Sequence, residues 1–544
     1  MSKLGFLSLI PTDILKVLSA LVMMIPLGWI FRQIKNPSYR MLTSFVWGNL
    51  LVILLYNIYS VQIYCCIFVN LLILKYCDRK KIGKYSLIYN MAHNSLINLY
   101  NQIYYYNQLT MDSVGVPFMI LILEHISFAY SYQDSAYIEK TETKNFLEEI
   151  TFKDNYYLYP ENRVYVIENF TIYEYVSYIL FYPTIVGGPY IEFNDYRKFI
   201  ELKDEYKTIP SSLLLAIKRF VFGFCCIVVF YALNPYNKLE NLIDYEQKYS
   251  FFQKVLFYLL GFFYVVRYFG GFSLIEIGCI SCGFSYEKET FEMLKKAKED
   301  QSIANNPSFV SSSNKPNLDS NTCEINKELT SSISNLNSNN SKKENFVNQE
   351  LETSQKQKIN EFSKAKVIDW INLLLINDPD EFFRYWNIHV HHFLKRNVYL
   401  RNIATPEQQK VNPHLARESK NIASSMTFFL SAFWHGFYPN YFIVFFHFYL
   451  LTFIGAQVKA LNAKINLKAF IPFYKNLVRF IVDVILIPYH CIIFVALDYK
   501  TLIDWIVTSK CFVTVIQLGL LLILFVLNKI VKGKKVIHDN KKNH

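Results

Sequence analysis

One histidine in this sequence sits in a setting suited to proton transfer. It belongs to Ser431-Ala432-Phe433-Trp434-His435-Gly436, followed by Phe437-Tyr438-Pro439-Asn440-Tyr441. An imidazole between a Trp and a Gly, inside an otherwise apolar helix-like stretch, can accept a proton near neutral pH and return it to a leaving group. Gly436 removes a side chain beside it, which would let a bulky substrate approach. A satisfied buried histidine is the plainer alternative, and composition alone leaves both open. Upstream, Phe382-Phe383-Arg384-Tyr385-Trp386-Asn387 sets an amide among aromatics. Such an amide offers a donor and an acceptor to a polarised carbonyl or an imidazole.

Two further clusters carry less specific signals. His389, His391 and His392 follow the amide and suggest a membrane metal centre. A di-iron site needs several His-rich boxes, and the rest of the 11 histidines are scattered singly, so no metal is expected. The trio reads instead as an interfacial, partly solvated patch. The other cluster, Tyr182-Pro183-Thr184-Ile185-Val186-Gly187-Gly188-Pro189-Tyr190-Ile191-Glu192-Phe193, contains a helix-breaking Gly-Gly-Pro. Broken helices at membrane depth are tolerated where they line a cavity; a turn at the membrane surface is the simpler alternative. No Walker-type phosphate loop, Gly-x-Ser-x-Gly elbow or zinc spacing occurs.

The elements that must position these residues are apolar. Of 544 residues, 52% are hydrophobic, 18% charged and 17% aromatic, with 46 Phe and 41 Tyr. Runs at 8–31, 42–75, 113–130, 171–191, 211–234, 251–280, 440–460, 470–497 and 511–531 approach or exceed the ~20 residues a bilayer-spanning helix needs. More polar candidates lie at 87–106 and 419–437. The expected fold class is therefore all-α: a multi-spanning transmembrane bundle of about ten or eleven helices, some re-entrant or broken, enclosing a catalytic chamber. The first run lacks a basic leader and a small-residue cleavage site, so it reads as a retained segment. The ten cysteines show no ligand spacing and read as small packing residues. A net charge of +12, spread over loops and tail, fits membrane topology and not nucleic-acid binding.

Four regions are expected: membrane helices over 1–296, an insertion at 297–364, a catalytic part at 365–531 and a basic tail at 532–544. The insertion is rich in Ser, Asn, Lys and Glu and nearly free of aromatics, a composition that stays disordered. Positive charge at Arg79-Lys80-Lys81, after Tyr286 and beyond Lys532 should face the cytosol. Lys541 and Lys542, fourth and third from the end, resemble the dilysine address read by COPI-type retrieval. They imply a multi-pass protein of the endoplasmic reticulum membrane with a cytosolic C-terminus.

At the His435, Asn387 and Gly-Gly-Pro clusters the chain resembles the membrane-bound O-acyltransferase family, most closely its broad lysophospholipid acyltransferase branch. The family's "WN" segment and later "WHG" histidine correspond to Trp386-Asn387 and Trp434-His435-Gly436. The branch's "GP.(Y/F).(E/D)(F/Y)" stretch is matched by Gly188 to Phe193, and its upstream pattern is echoed by Asp112-Ser113-Val114-Gly115 and Ser127-Phe128-Ala129. Departures are Asn440 in place of a Gly, Val114 in place of a Thr and Glu124 in place of a Lys.

The resemblance implies an acyl-CoA-dependent enzyme, with acyl-CoA as co-substrate, no bound cofactor and a lysophospholipid as acceptor among membrane lipids. His435 would be the general base and Asn387 its helper. Trp386, Trp434 and Gly436 would line the substrate, and Lys395 and Arg396 (with Arg401) would meet coenzyme A phosphates. Another acceptor on the same fold (a sterol, diacylglycerol or protein) and a non-catalytic transporter or scaffold are the alternatives.

Overall fold

The computed structural model describes residues 12–104, 115–139, 151–152, 159–233, 251–287, 362–376, 381–465, 481–482, 486–495, 502–503, 506 and 512–542. The chain divides into two compact units, Met1–Phe284 with Ala365–His544, and Ser285–Lys364. Of the second unit only its ends are described. There the Tyr286 and Phe362 rings meet at 5.6 Å, and the Lys364 N–H donates to the Ser285 carbonyl at 3.0 Å. The expected insertion at 297–364 otherwise lies outside the described residues.

The first unit is a helical bundle, with a two-residue antiparallel pair, Ile138–Glu139 and Thr151–Phe152, as its only described strands. Local chemistry sets the helix starts. Asn36 precedes Pro37, and its side chain accepts the N–H groups of Ser38 and Tyr39 at the head of Pro37–Tyr56. Asn412 does the same for His414 and Leu415 at the head of Pro413–His435, again with proline in the first turn, where its missing N–H costs nothing.

Among the described residues, six stretches are long and apolar enough to cross a membrane: Ile14–Gln33, Pro37–Tyr76, Leu213–Leu233, Phe262–Cys282, Pro439–Asn462 and Val513–Val531. Leu54, Leu214 and Leu522 are 65% to 75% exposed on these helices, an outward apolar surface that lipid covers. This is a multi-pass membrane protein. Two of the remaining apolar runs lie inside the bundle, one as a buried helix and one broken, as expected for some of the ten or eleven helices. Run 113–130 becomes the interior helix Gly115–Asp134, whose residues 121–131 are all buried. Run 171–191 is a helix only over Ile172–Ile179; beyond it the backbone leaves the helix, and residues 177–193 are buried throughout. The Gly-Gly-Pro segment is thus an internal break and not a surface turn. Run 470–497 lies largely outside the described residues. Length and apolarity alone do not separate a lipid-facing helix from a buried irregular strand of chain.

Two apolar cores organise the first unit. One gathers Met24, Phe31, Tyr178, Phe181, Tyr190, Phe393 and Trp434. The other gathers Phe382, Val444, Leu451, Tyr489 and Ile492, with Tyr268, Trp386 and Phe494 packed against it.

Candidate active site

His435 ends the helix Pro413–His435, because Gly436 adopts φ 125° and ψ −168°. That region is essentially reserved for glycine, so the chain turns sharply there. A Cβ at Gly436 would meet Asn98 at 3.5 Å, an ordinary contact. The glycine is therefore required for its backbone, and Asn98 is the side chain that lies beside it.

Four aromatic rings surround the His435 imidazole. Phe445 stacks on it at 5.2 Å and 24°, Phe494 meets it edge-on at 4.9 Å, Tyr441 lies at 5.5 Å and Trp434 at 4.7 Å. Among the described residues no hydrogen bond reaches its ring nitrogens, and the side chain is only partly buried. A histidine held by packing but unpaired in hydrogen bonding keeps its lone pair for an incoming group.

The preceding residue is anchored at both ends. The Trp434 carbonyl, one of the last unpaired carbonyls of the helix, accepts from Asn94 Nδ2 at 2.8 Å and from Asn98 Nδ2 at 3.4 Å. Its indole N–H donates to the Met119 carbonyl at 3.0 Å. Asn94 and Asn98 lie on Ile82–Tyr104 at four-residue spacing with Ser86 and Asn90, which places them on one face. Sequence reading passed over them; the spacing of small polar residues within run 87–106 was the available signal.

Asn387 adopts φ 46° and ψ 56°, the left-handed region that Asn tolerates better than most residues, and opens the helix Ile388–Leu394. Trp386 stacks on Phe382 at 5.6 Å and meets Tyr268 edge-on at 5.7 Å. Tyr268 in turn meets Phe494 at 6.3 Å, and Phe494 touches His435. A continuous path of rings thus joins the segment of Asn387 to His435, at the seam between the two cores.

Past Asn387 the backbone makes a π-helical turn at Lys395–Tyr399, which carries Arg396 inward until it is 1% exposed. Its guanidinium donates to Glu192 Oε2 at 2.8 Å and to Ser131 Oγ at 3.1 Å, contacts Ser127 Oγ, and lies over the Tyr165 ring at 4.6 Å. The Ser127 hydroxyl donates to the same Glu192 oxygen at 2.9 Å, and Tyr190 donates to the other. Arg401 forms a two-pronged pair with Asp134 at 2.9 and 2.7 Å. Arg396 and Arg401 are therefore engaged inside the fold, where their guanidiniums hold the carboxylates of Glu192 and Asp134. Lys395 is exposed.

The histidine trio divides. Burial, and then the nearby His392, push the His389 imidazole down to about 4, while His392 lies 3.8 Å from Glu192 Oε1. Among the described residues no three His, Cys, Asp or Glu side chains gather where they would hold a metal ion. Asn440, one of the departures, is fully buried and donates to the carbonyls of Ile493 and Phe494 at 3.1 and 2.8 Å.

The chain matches over residues 98–497 the model of the membrane-bound O-acyltransferase family, which includes Asn387, His435 and the Gly-Gly-Pro segment. It is 20% identical over 396 residues to a protein of Saccharomyces cerevisiae called lysophospholipid acyltransferase, covering 69% of this chain and 50% of that one. It is 27% identical over 190 residues to the human lysophospholipid acyltransferase 5, covering 34% of this chain and 35% of that one. The chain thus spans between a third and half of these curated relatives. A match that takes in both polar clusters, on a bundle that brings them to one seam, means that the chain belongs to the membrane-bound O-acyltransferase family.

Proposed function

We propose that the chain transfers a fatty acyl group from acyl-CoA to the free hydroxyl of a lysophospholipid, in the endoplasmic reticulum membrane with its C-terminal tail in the cytosol. The observation that carries this reading is the His435 imidazole: ringed by aromatics, without a hydrogen bond among the described residues, and joined through Phe494 and Tyr268 to the segment of Asn387. The curated relatives named for lysophospholipid acyl transfer supply the acceptor class.

In this mechanism His435 takes the proton of the lysolipid hydroxyl as its oxygen attacks the thioester carbonyl carbon. The Asn387 amide donates to the developing oxyanion. When the tetrahedral adduct collapses, the carbon–sulfur bond breaks, and coenzyme A leaves with the proton returned by His435. Trp386 and Trp434 flank the two polar groups and give the acyl chain an apolar wall. Lys395, exposed on the π-helical turn, offers a positive charge to the coenzyme A phosphates.

The test uses microsomes from cells expressing wild type or His435→Ala, supplied with labelled oleoyl-CoA and a panel of lysophospholipids. Label entering phospholipid only with wild type is the expected result and identifies the head group. Label entering a sterol, diacylglycerol or protein in its place transfers the reading to that acceptor. No transfer from folded protein rejects an enzymatic role.

A further inference from the structure

A second pair of histidines lies close to this site and takes no part in the proposed chemistry. His447 on Pro439–Ile465 and His490 on Ile487–Val495 are 3% and 2% exposed. Their rings meet at 5.1 Å and 78°, with His447 Nδ1 and His490 Nε2 3.0 Å apart. His490 Nδ1 lies 2.6 Å from the Leu486 carbonyl, and His447 Nε2 lies 2.8 Å from the Thr514 hydroxyl on Phe512–Lys542.

With both imidazoles neutral, these contacts fix every proton. A carbonyl oxygen can only accept, so His490 Nδ1 carries hydrogen and its Nε2 presents a lone pair. His447 Nδ1 must then be the donor, its Nε2 the acceptor, and Thr514 the donor to it. The chain runs in one direction, Thr514 to His447 to His490 to Leu486, through two neutral imidazoles. It ties three helices together where an unsatisfied group would be costly.

What the clamp holds is the ring cage of the candidate site. Phe494 stands one helical turn beyond His490, and Phe445 two residues before His447; both grip the His435 ring. Phe448, next to His447, contacts the His490 ring at 5.1 Å and the Phe382 ring at 5.4 Å, and Phe382 stacks on Trp386. Asn440 fastens the same two helices at the Phe494 carbonyl, 2.8 Å away. One buried chain of hydrogen bonds therefore backs both halves of the seam.

We propose that His447, His490 and Thr514 are positioning residues: their hydrogen-bond chain fixes Pro439–Ile465 against Ile487–Val495 and thereby sets the place of His435 relative to Asn387. The proposal rests on the reading of His435 as the reacting base, but its geometric half stands alone. A displacement of about 1 Å at a reacting group costs on the order of 100-fold in rate, so a clamp of this kind has a kinetic signature.

The experiment compares full-length wild type, His490→Leu, His490→Gln and Thr514→Val in membranes, by two readouts. The first is carbethoxylation of His435 by diethyl pyrocarbonate, followed by peptide mass spectrometry, which needs no turnover. The second is kcat and KM for acyl transfer. Glutamine keeps an acceptor where Nε2 stood, whereas leucine removes it. His490→Leu is expected to change the His435 modification rate about fivefold or more and to lower kcat about tenfold or more, with KM within about twofold. His490→Gln stays within about threefold of wild type in both, and Thr514→Val falls between. Unchanged His435 reactivity in His490→Leu overturns the proposal, as does equal damage from leucine and glutamine. If His490→Leu does not fold, Thr514→Val against wild type decides by the same two readouts. Should wild type transfer nothing to any lysolipid, the modification rates still decide the clamp, and only the functional reading falls.

Discussion

Arg396 donates to Glu192 Oε2 at 2.8 Å across 204 positions of sequence, and both side chains are buried. That pair ties the turn following Asn387 to the end of the Gly-Gly-Pro break, with Ser127 of the Ser127-Phe128-Ala129 motif as the third member. Three motifs that look separate in sequence are one buried polar knot.

Removing one partner of this knot leaves a buried charge. Arg396→Ala should lower stability by about 3–5 kcal/mol, and Arg396→Met combined with Glu192→Gln should recover most of it. The thermal midpoint of the purified protein measures this. A raised KM for acyl-CoA at an unchanged midpoint would contradict the assignment and return Arg396 to the substrate.

The Asn387 backbone and side chain can be tested apart. In the left-handed region a non-glycine residue without a compensating side chain is strained by about 1 kcal/mol, so Asn387→Gly should be more stable than Asn387→Ala. Both should lose about 100- to 1000-fold in kcat if the amide meets the oxyanion. Activity retained in Asn387→Gly would show that only the backbone matters.

Gly436→Ala meets no steric wall, since the new methyl lies 3.5 Å from Asn98. Its cost is conformational, on the order of 1–3 kcal/mol, and it should disturb His435 directly. The expected result is a fall in kcat larger than the fall in protein yield. Wild-type kcat in Gly436→Ala would refute the backbone argument.

Asn94→Leu deprives the Trp434 carbonyl of its 2.8 Å donor. The carbonyl keeps the longer Asn98 bond at 3.4 Å, so the loss should fall below the about 1–3 kcal/mol of a fully unpaired buried carbonyl, and the turn bearing His435 should relax. We expect kcat to drop about tenfold with KM within about twofold, and a smaller drop for Asn98→Leu, whose bond is 3.4 Å long. Equal and purely KM effects would instead indicate contact with substrate.

Sequence by itself determined the class of protein and the residue types of the site. Apolar runs long enough to span a bilayer, and the pairing of Trp386-Asn387 with Trp434-His435-Gly436, are local facts that composition and spacing reveal. What those residues touch was decided elsewhere. The cationic cluster after Asn387 looked like a flank for phosphates until the π-helical turn at Lys395–Tyr399 brought Arg396 inward to a carboxylate from a distant segment. Gly436 carries a backbone requirement that residue type alone did not announce. Run 171–191 looked like a span and proved to be a buried break, because burial satisfies an apolar sequence whether lipid or protein supplies it. Periodicity and residue type encode what a segment prefers; only tertiary packing chooses the partner of a buried polar group. For that reason the hold of Asn94 and Asn98 on the Trp434 carbonyl, and the hydrogen-bond chain of Thr514, His447 and His490, became visible only in the folded bundle.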